Sequence, residues 1–228
     1  MQRDELQNSD ARAAYEAIMD AIVTQQLAPS QKVSENILSD MFGISRTIAR
    51  NLIERLIAKQ FLVSVSPRVT LVAPLTLLDI KQNFTLRKVL LPAIFSLTAA
   101  KVDLEALKLL NQEIEKMQPV SNDEEALELL KKNKQMNLML VEDAGYPLMI
   151  EWAHQLEDTA MRIYWLYLKA QKRLPYASDQ QAMTINVMKN DEPTRLKAII
   201  QEVLNQTEER ILTTIFSNEQ FYSQDLKV

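Results

Sequence analysis

Cysteine is absent from the 228-residue chain. That removes disulfides, thiol chemistry and cysteine-held zinc or iron–sulfur centres. Histidine occurs once, at His154. One chain therefore cannot assemble a histidine-rich metal centre, and a Ser-His-Asp triad would have to run through that single residue. The 2 glycines, Gly43 and Gly145, are too few and too far apart for a dinucleotide fingerprint or a phosphate loop. Scarce glycine also argues against a β-rich fold with many tight turns and towards helices. No apolar run approaches the ~20 residues of a membrane span. The segment LIAKQFLVSVS, for example, is interrupted at Lys59 and Gln60. The opening MQRDELQNSD is polar and of mixed charge, unlike an export or transit peptide. The expectation is a soluble, cytoplasmic protein with no membrane contact. Without histidine pairs, cysteine or paired carboxylates, a catalytic role is not expected.

What is present is ordinary globular composition, 47% hydrophobic and 25% charged, with a net charge of -4. The charge is unevenly placed. Residues 1–75 are neutral, with 8 basic and 8 acidic side chains, and the rest of the chain carries the whole excess. Residues 44–68 hold Arg46, Arg50, Arg55, Lys59 and Arg68 against Glu54 alone. A basic stretch inside an acidic protein is either a solvated helix face or a contact surface for an anion.

Helical spacing of Tyr15, Ile18, Ile22 and Val23 predicts a first helix from about Ala11 to Gln26, stopped by Pro29. Ser34 caps a short second helix to about Met41, with Gly43 as its left-handed C-cap. Ser45 caps a third, whose buried face is Ile48, Leu52, Ile53, Leu56 and Ile57. Phe61 to Val65 and Val69 to Ala73 read as a β-hairpin around Ser66-Pro67-Arg68. From Leu75 onward no strand pattern appears. Helices are expected over about 76–100, 103–117, 123–144, 147–172, 179–189 and 192–217, with Pro92 inside the first. The fold class is mainly α: a winged helix-turn-helix (three helices plus a β-hairpin) over residues 1–74, then an all-α bundle of six helices or more over 75–228.

The third helix carries the chemistry. If Ser45 caps it, Arg46, Thr47 and Arg50 lie near its N-terminal end, away from the buried face. Two arginines and a hydroxyl on an exposed helix N-terminus suit the major groove, where arginine pairs with guanine or with phosphate. Arg68 at the hairpin tip is placed to reach the adjacent groove or backbone. An ordinary amphipathic surface helix is the competing explanation. The preceding cap-helix-glycine turn and the following hairpin together favour DNA.

The stretch from Ile22 to Val72 resembles the winged helix-turn-helix of the GntR family of bacterial transcription regulators. The resemblance runs through LAPSQKVSENILSDMFGISRTIARNLIERL and PRVTLV. Leu27, Pro29, Ser34, Glu35, Gly43, Ser45, Arg46, Thr47, Arg50 and Leu56 keep the family pattern. Ser30 (usually Gly), Ile48 (usually Pro), Asn51 (usually Glu) and Val69 (usually Gly) depart from it. Val69 implies a different wing tip, because a β-branched residue resists positive φ. The resemblance implies DNA contacts by Arg46, Thr47 and Arg50, with the capping Ser45, Asn36 and Arg68 as further candidate DNA-binding residues.

The remainder is similar to the FadR-type effector domain, called FCD. LRKVLLPAIFSLTAA (86–100) is similar to its first helix, NKQMNLMLVEDAGYPL (133–148) to its D-x-x-F-H…A-G-N-P-L segment, and MKND (188–191) to the turn before its last helix. Many such domains hold a divalent metal with an Asp and three His, completed by a small organic acid. The corresponding positions here are Asn133, Asn137 and, to within about a residue, Gln180 and Glu202. Amides are poor transition-metal ligands, so no metal cofactor is expected. Asn133 and Asn137, one turn apart, would hydrogen-bond a ligand directly, with Arg87 as a further candidate contact. A collapsed or water-filled pocket is the alternative of nearly equal standing.

Other features have plainer readings. Glu151-x-x-His154 has di-iron spacing but no second copy. Trp152, Tyr164, Trp165 and Tyr167 suit a pocket, a core or a dimer interface. Arg87 and Arg162 fall on inner helix faces as ligand contacts or ion-pair partners. Asn122-Asp123-Glu124-Glu125 reads as a capped helix start. The leading expectation is a homodimeric regulator that binds an inverted-repeat DNA operator and responds to a small-molecule effector such as an organic acid. The alternatives are a constitutive DNA-binding regulator with a degenerate effector site, or a helical ligand-binding protein that does not bind DNA.

Overall fold

The computed structural model describes residues 2–190, 192–218 and 226–227. The chain divides into two compact units, one ending at Leu75 and one beginning at Thr76.

The first unit opens with α1 (Gln2–Val23). This helix starts well before Ala11, because nothing in the polar opening breaks it. It also stops before Gln26: Gln25 adopts φ 62°, and the Leu27 amide turns back to the Ala21 carbonyl. Strand β1 (Lys32–Val33), helix α2 (Glu35–Phe42) and helix α3 (Arg46–Ala58) follow. Then come β2 (Leu62–Ser66) and β3 (Val69–Val72), shifted by about a residue from the expected hairpin. The sheet order is β1-β3-β2, all antiparallel, with Lys32 opposite Leu71 and Val33 opposite Thr70. β1 is too short to leave a periodic signal in the sequence. The core joins Ile18, Ile22, Leu27, Leu38, Leu52, Leu56, Phe61 and Val72. Ala49 is fully buried, whereas Ile48, Ile53 and Ile57 pack half-buried at its margin. α3 ends where Gln60 takes φ 63°, which lets the Phe61 amide reach the Leu56 carbonyl and buries the Phe61 ring.

The second unit is helical: α4 (Leu77–Thr98), α5 (Leu104–Lys116), α6 (Asp123–Met139), a 3-10 turn (Glu142–Ala144), α7 (Pro147–Gln171), α8 (Ser178–Lys189) and α9 (Pro193–Phe216). Two-residue strands β4 (Leu75–Thr76) and β5 (Leu226–Lys227) correct the expectation of no strand after Leu75. Caps set the starts. Thr76 and Asp79 form a reciprocal capping box for α4, Asp103 caps α5 and Asn122 caps α6. The sequence predicts one helix over 123–144, but α6 stops at Met139. The Thr98 hydroxyl donates to the Leu140 carbonyl at 2.7 Å, and Gly145 then turns at φ 75°. α4 packs against α9 and α7, α6 against α7, and α5 against α6 and α8. Pro92 is buried within a continuous α4. Among the described residues no helix is long and apolar enough to cross a membrane.

Candidate nucleic-acid interface

Two serine caps set the geometry of the helix pair. The Ser34 hydroxyl accepts the Ile37 amide at 3.3 Å and starts α2. α2 ends on Gly43 at φ 65°. A β-carbon there would meet nothing within 4 Å, so the backbone angle, not crowding, calls for glycine. The Ser45 hydroxyl accepts the Ile48 amide at 3.2 Å and starts α3. Burial of Ala49, Leu52 and Leu56 then leaves Arg46, Thr47 and Arg50 in solvent. The first turn of α3 holds no acidic residue. Arginine at a helix N-terminus opposes the helix dipole, and an anion bound there reverses that cost.

Arg50 is not free. Its Nε donates to Glu35 Oε1 at 2.7 Å and its Nη2 to Glu35 Oε2 at 3.4 Å. That hydrogen bond is the chief reason the Glu35 carboxyl lies below its ordinary range and the Arg50 guanidinium above. Arg55 is drawn elsewhere, over the Tyr15 ring at 4.2 Å from its centroid. Asn36 and Arg68 are exposed, Arg68 at the turn between β2 and β3.

A second polar cluster lies inside the helical unit. Arg87 on α4 donates from Nη2 to Glu157 Oε1 at 2.7 Å and from Nη1 to the Tyr164 hydroxyl at 2.9 Å. The other Glu157 oxygen accepts from Asn137 Nδ2 at 2.9 Å. The Tyr176 hydroxyl donates to Asn133 Oδ1, and its ring meets Tyr164 edge-on. Burial by itself would lower the Arg87 pKa, but the Glu157 carboxylate and the Tyr164 hydroxyl reverse this and hold it above the ordinary arginine value. Burial raises both tyrosines. Burial also pulls Arg162 down to about 10, with Asp79 opposing. Gln180 and Glu202 belong to a different group: Gln180 Nε2 donates to Gln206 Oε1 at 2.6 Å, and Gln206 Nε2 to Glu202 Oε1 at 2.5 Å. Arg87 and Asn137 thus meet at Glu157, Asn133 joins through Tyr176, whose ring lies against Tyr164, and Gln180 and the exposed Glu202 share a relay through Gln206.

These residues do not fit a divalent metal. The Asn133 oxygen already accepts a tyrosine proton, Asn137 turns its amino group to Glu157, and Glu202 stands outside the cluster. Among the described residues no three His, Cys, Asp or Glu side chains are grouped to hold a metal ion. His154 pairs through Nε2 with Glu142 at 2.8 Å, and Glu151 is exposed. Asp191, in the segment similar to the turn before the last FCD helix, lies outside the described residues.

Residues 10–72 match the family described as bacterial regulatory proteins, gntR family. The N-terminal unit is a gntR-family helix-turn-helix domain. No curated protein sequence matches the chain. Three solved structures share the fold across most of the length. McbR/YncC of E. coli has a TM-score of 0.75 at 15% identity, covering 90% of this chain and 97% of that one. A GntR transcriptional regulator from Rhodococcus sp. RHA1 has a TM-score of 0.71 at 16% identity, covering 90% and 98%. Lar, which controls expression of the Listeria monocytogenes agr system, has a TM-score of 0.57 at 14% identity, covering 89% and 96%.

The departures from the gntR pattern have visible consequences. Ser30 takes φ 64°, the region glycine occupies freely, while its amide bonds the Val72 carbonyl at 2.9 Å. Val69 is not at positive φ. It begins β3 opposite Ser66, with a register irregularity between Ser64 and Ser66, so this gntR-type wing turns without a glycine. Two residues of consequence escape sequence reasoning. Glu35 is a conventional first-turn acid until the fold sets it against Arg50. Glu157 had a signal: it falls in step with the buried Ala153, Ala160, Tyr164 and Leu168, where an acid is out of place.

Proposed function

We propose that the chain is a homodimeric, DNA-binding transcription regulator of the FadR type. Its two gntR-type domains read the halves of an inverted-repeat operator. The observation that carries this reading is the N-terminal turn of α3: capped by Ser45, free of acidic residues, and exposing Arg46, Thr47 and Arg50. Arg46 and Arg50 pair with base edges or phosphates, Thr47 adds a hydroxyl, and Asn36 and Arg68 contact the flanking backbone or groove. Two-fold symmetry in the protein matches two-fold symmetry in the site. Support for the dimer comes from α4, which buries Phe84, Leu91, Ile94 and Phe95 yet exposes Leu86, Val89 and Leu97 on its other side. A helix apolar on both faces needs a second cover. Leu148 and Trp152 on α7, which packs against α4, add to the exposed apolar surface.

The FadR assignment rests on the likeness of residues 86–100, 133–148 and 188–191 to the FCD domain. In this reading a small organic acid is the effector. It acts at Arg87, Asn133 and Asn137, with Gln180 and Glu202 to the outside, by competing with Glu157 for the guanidinium. Its preference for one placement of the reading heads changes operator affinity. A second reading, constitutive DNA binding, is favoured by one observation: Arg87, Asn133 and Asn137 are each already bonded to protein partners.

Selection of a random duplex library with the full-length protein, followed by titration at several salt concentrations, tests the DNA reading. An enriched palindrome and a steep salt dependence are expected. Arg46→Ala is expected to weaken the selected duplex by ~1–3 kcal/mol with no change in thermal stability. Repeating the titration with a panel of small carboxylates separates the two readings. A shift in affinity supports the effector site, and insensitivity to all of them supports constitutive binding.

A further inference from the structure

We propose that Glu35 is a specificity-determining positioning residue that dictates how Arg50 meets a base. The inference rests on the DNA-binding reading above.

Glu35 is the first residue of α2, and Arg50 lies in α3. The Gly43 turn brings the two side chains together although 15 positions separate them. Glu35 takes Nε at 2.7 Å and Nη2 at 3.4 Å, which is the side edge of the guanidinium. A guanidinium can offer a base either that side edge or its end, formed by Nη1 and the second Nη2 proton. With the side occupied, only the end remains for the two acceptors of a guanine. The carboxylate also holds a guanidinium whose side chain, 64% exposed even in the pair, is little confined by other packing.

The same carboxylate changes what Arg50 contributes at long range. Its negative charge cancels much of the attraction of Arg50 for phosphate, and it also acts on Arg46. A phosphate approaching Arg50 meets Glu35 as well, whereas a neutral base edge meets no such repulsion. The pair therefore lowers indiscriminate binding and keeps the directional bonds. Because it is exposed, the pair adds little to folding stability, so its loss leaves the domain folded.

The test uses the full-length protein, the duplex it selects from a random library, and a scrambled duplex of the same composition. Glu35→Gln is expected to bind the scrambled duplex more tightly and with a salt slope steeper by about one phosphate contact. The ratio of selected to scrambled affinity is expected to fall about tenfold, with unchanged thermal stability. Glu35→Asp restores part of that ratio. In an Arg50→Ala background, Glu35→Gln leaves the ratio where Arg50→Ala alone put it. An unchanged ratio in Glu35→Gln, or an equal fall with and without Arg50, overturns the positioning role while leaving the DNA reading intact. Enrichment of no sequence by the wild-type chain overturns both.

Discussion

The Arg87 guanidinium and the Glu157 carboxylate meet at 2.7 Å with side chains 3% and 2% exposed, joining α4 to α7 inside the helical unit. Such a pair is costly to desolvate, and its value lies in neither charge being left alone. Glu157→Ala strands the arginine and is expected to cost ~3–5 kcal/mol in urea unfolding. Replacing both residues with leucine is expected to recover most of that loss. A cost below ~1 kcal/mol for the single variant would show that water reaches the site.

The alkaline limb of stability follows from the same cluster. Tyr164 and Tyr176 are held above their ordinary value of 10.0 by burial. Above pH 10.0 the unfolded chain loses these protons first, so the folded state binds more protons and stability falls as pH rises. Arg162, pulled by burial to about 10, below the ordinary arginine value, acts in the opposite sense above that pH, but it is one group against two. Urea midpoints are expected to drop across this range. Phenolate absorbance should show both tyrosines ionising only as the protein unfolds. Their early titration in a still-folded protein would contradict the buried placement.

Ser30 holds a left-handed backbone, φ 64°, at the bend before β1. A Cβ is strained in that region, while glycine costs entropy in the unfolded chain. The first effect is the larger, so Ser30→Gly is expected to raise stability by roughly 0.5 kcal/mol. A loss on thermal unfolding would mean that the serine side chain makes a compensating bond.

The outer face of α4 is open to a direct test of association. Val89 is 72% exposed on a helix whose inner face is already packed. Val89→Glu is expected to give a monomer by sedimentation with unchanged helical circular dichroism. The paired reading heads should then bind the inverted repeat ~10²-fold or more weakly through lost avidity. An intact dimer would place the interface elsewhere.

Much of the fold was legible residue by residue. Ser34, Ser45, Asp103 and Asn122 announce helix starts because a cap is satisfied within three residues of itself. Gly43 between two short apolar stripes implies the helix-turn-helix for the same local reason. Exposure of Arg46 and Thr47 follows from burying Leu52 and Leu56 at helical spacing. Boundaries failed where non-glycine residues took left-handed angles, as at Gln25, because nothing in the local sequence demands that angle there.

Pairs distant in sequence were decided by tertiary structure alone. Glu35 reaches Arg50 only once the Gly43 turn sets α2 against α3. Arg87 reaches Glu157 only once α4 packs on α7, and Asn133 on α6 meets Tyr176 only once the segment after α7 folds back. Gln180 and Glu202 went to a different group for the same reason. The sequence determined which residues cap, which turn and which face inward, because helix period and capping act over a few residues. Which charge would neutralise which depended on bringing together side chains as distant in sequence as Arg87 and Glu157, 70 positions apart, or Lys88 and Glu208, 120 positions apart, and that depends on how the helices pack.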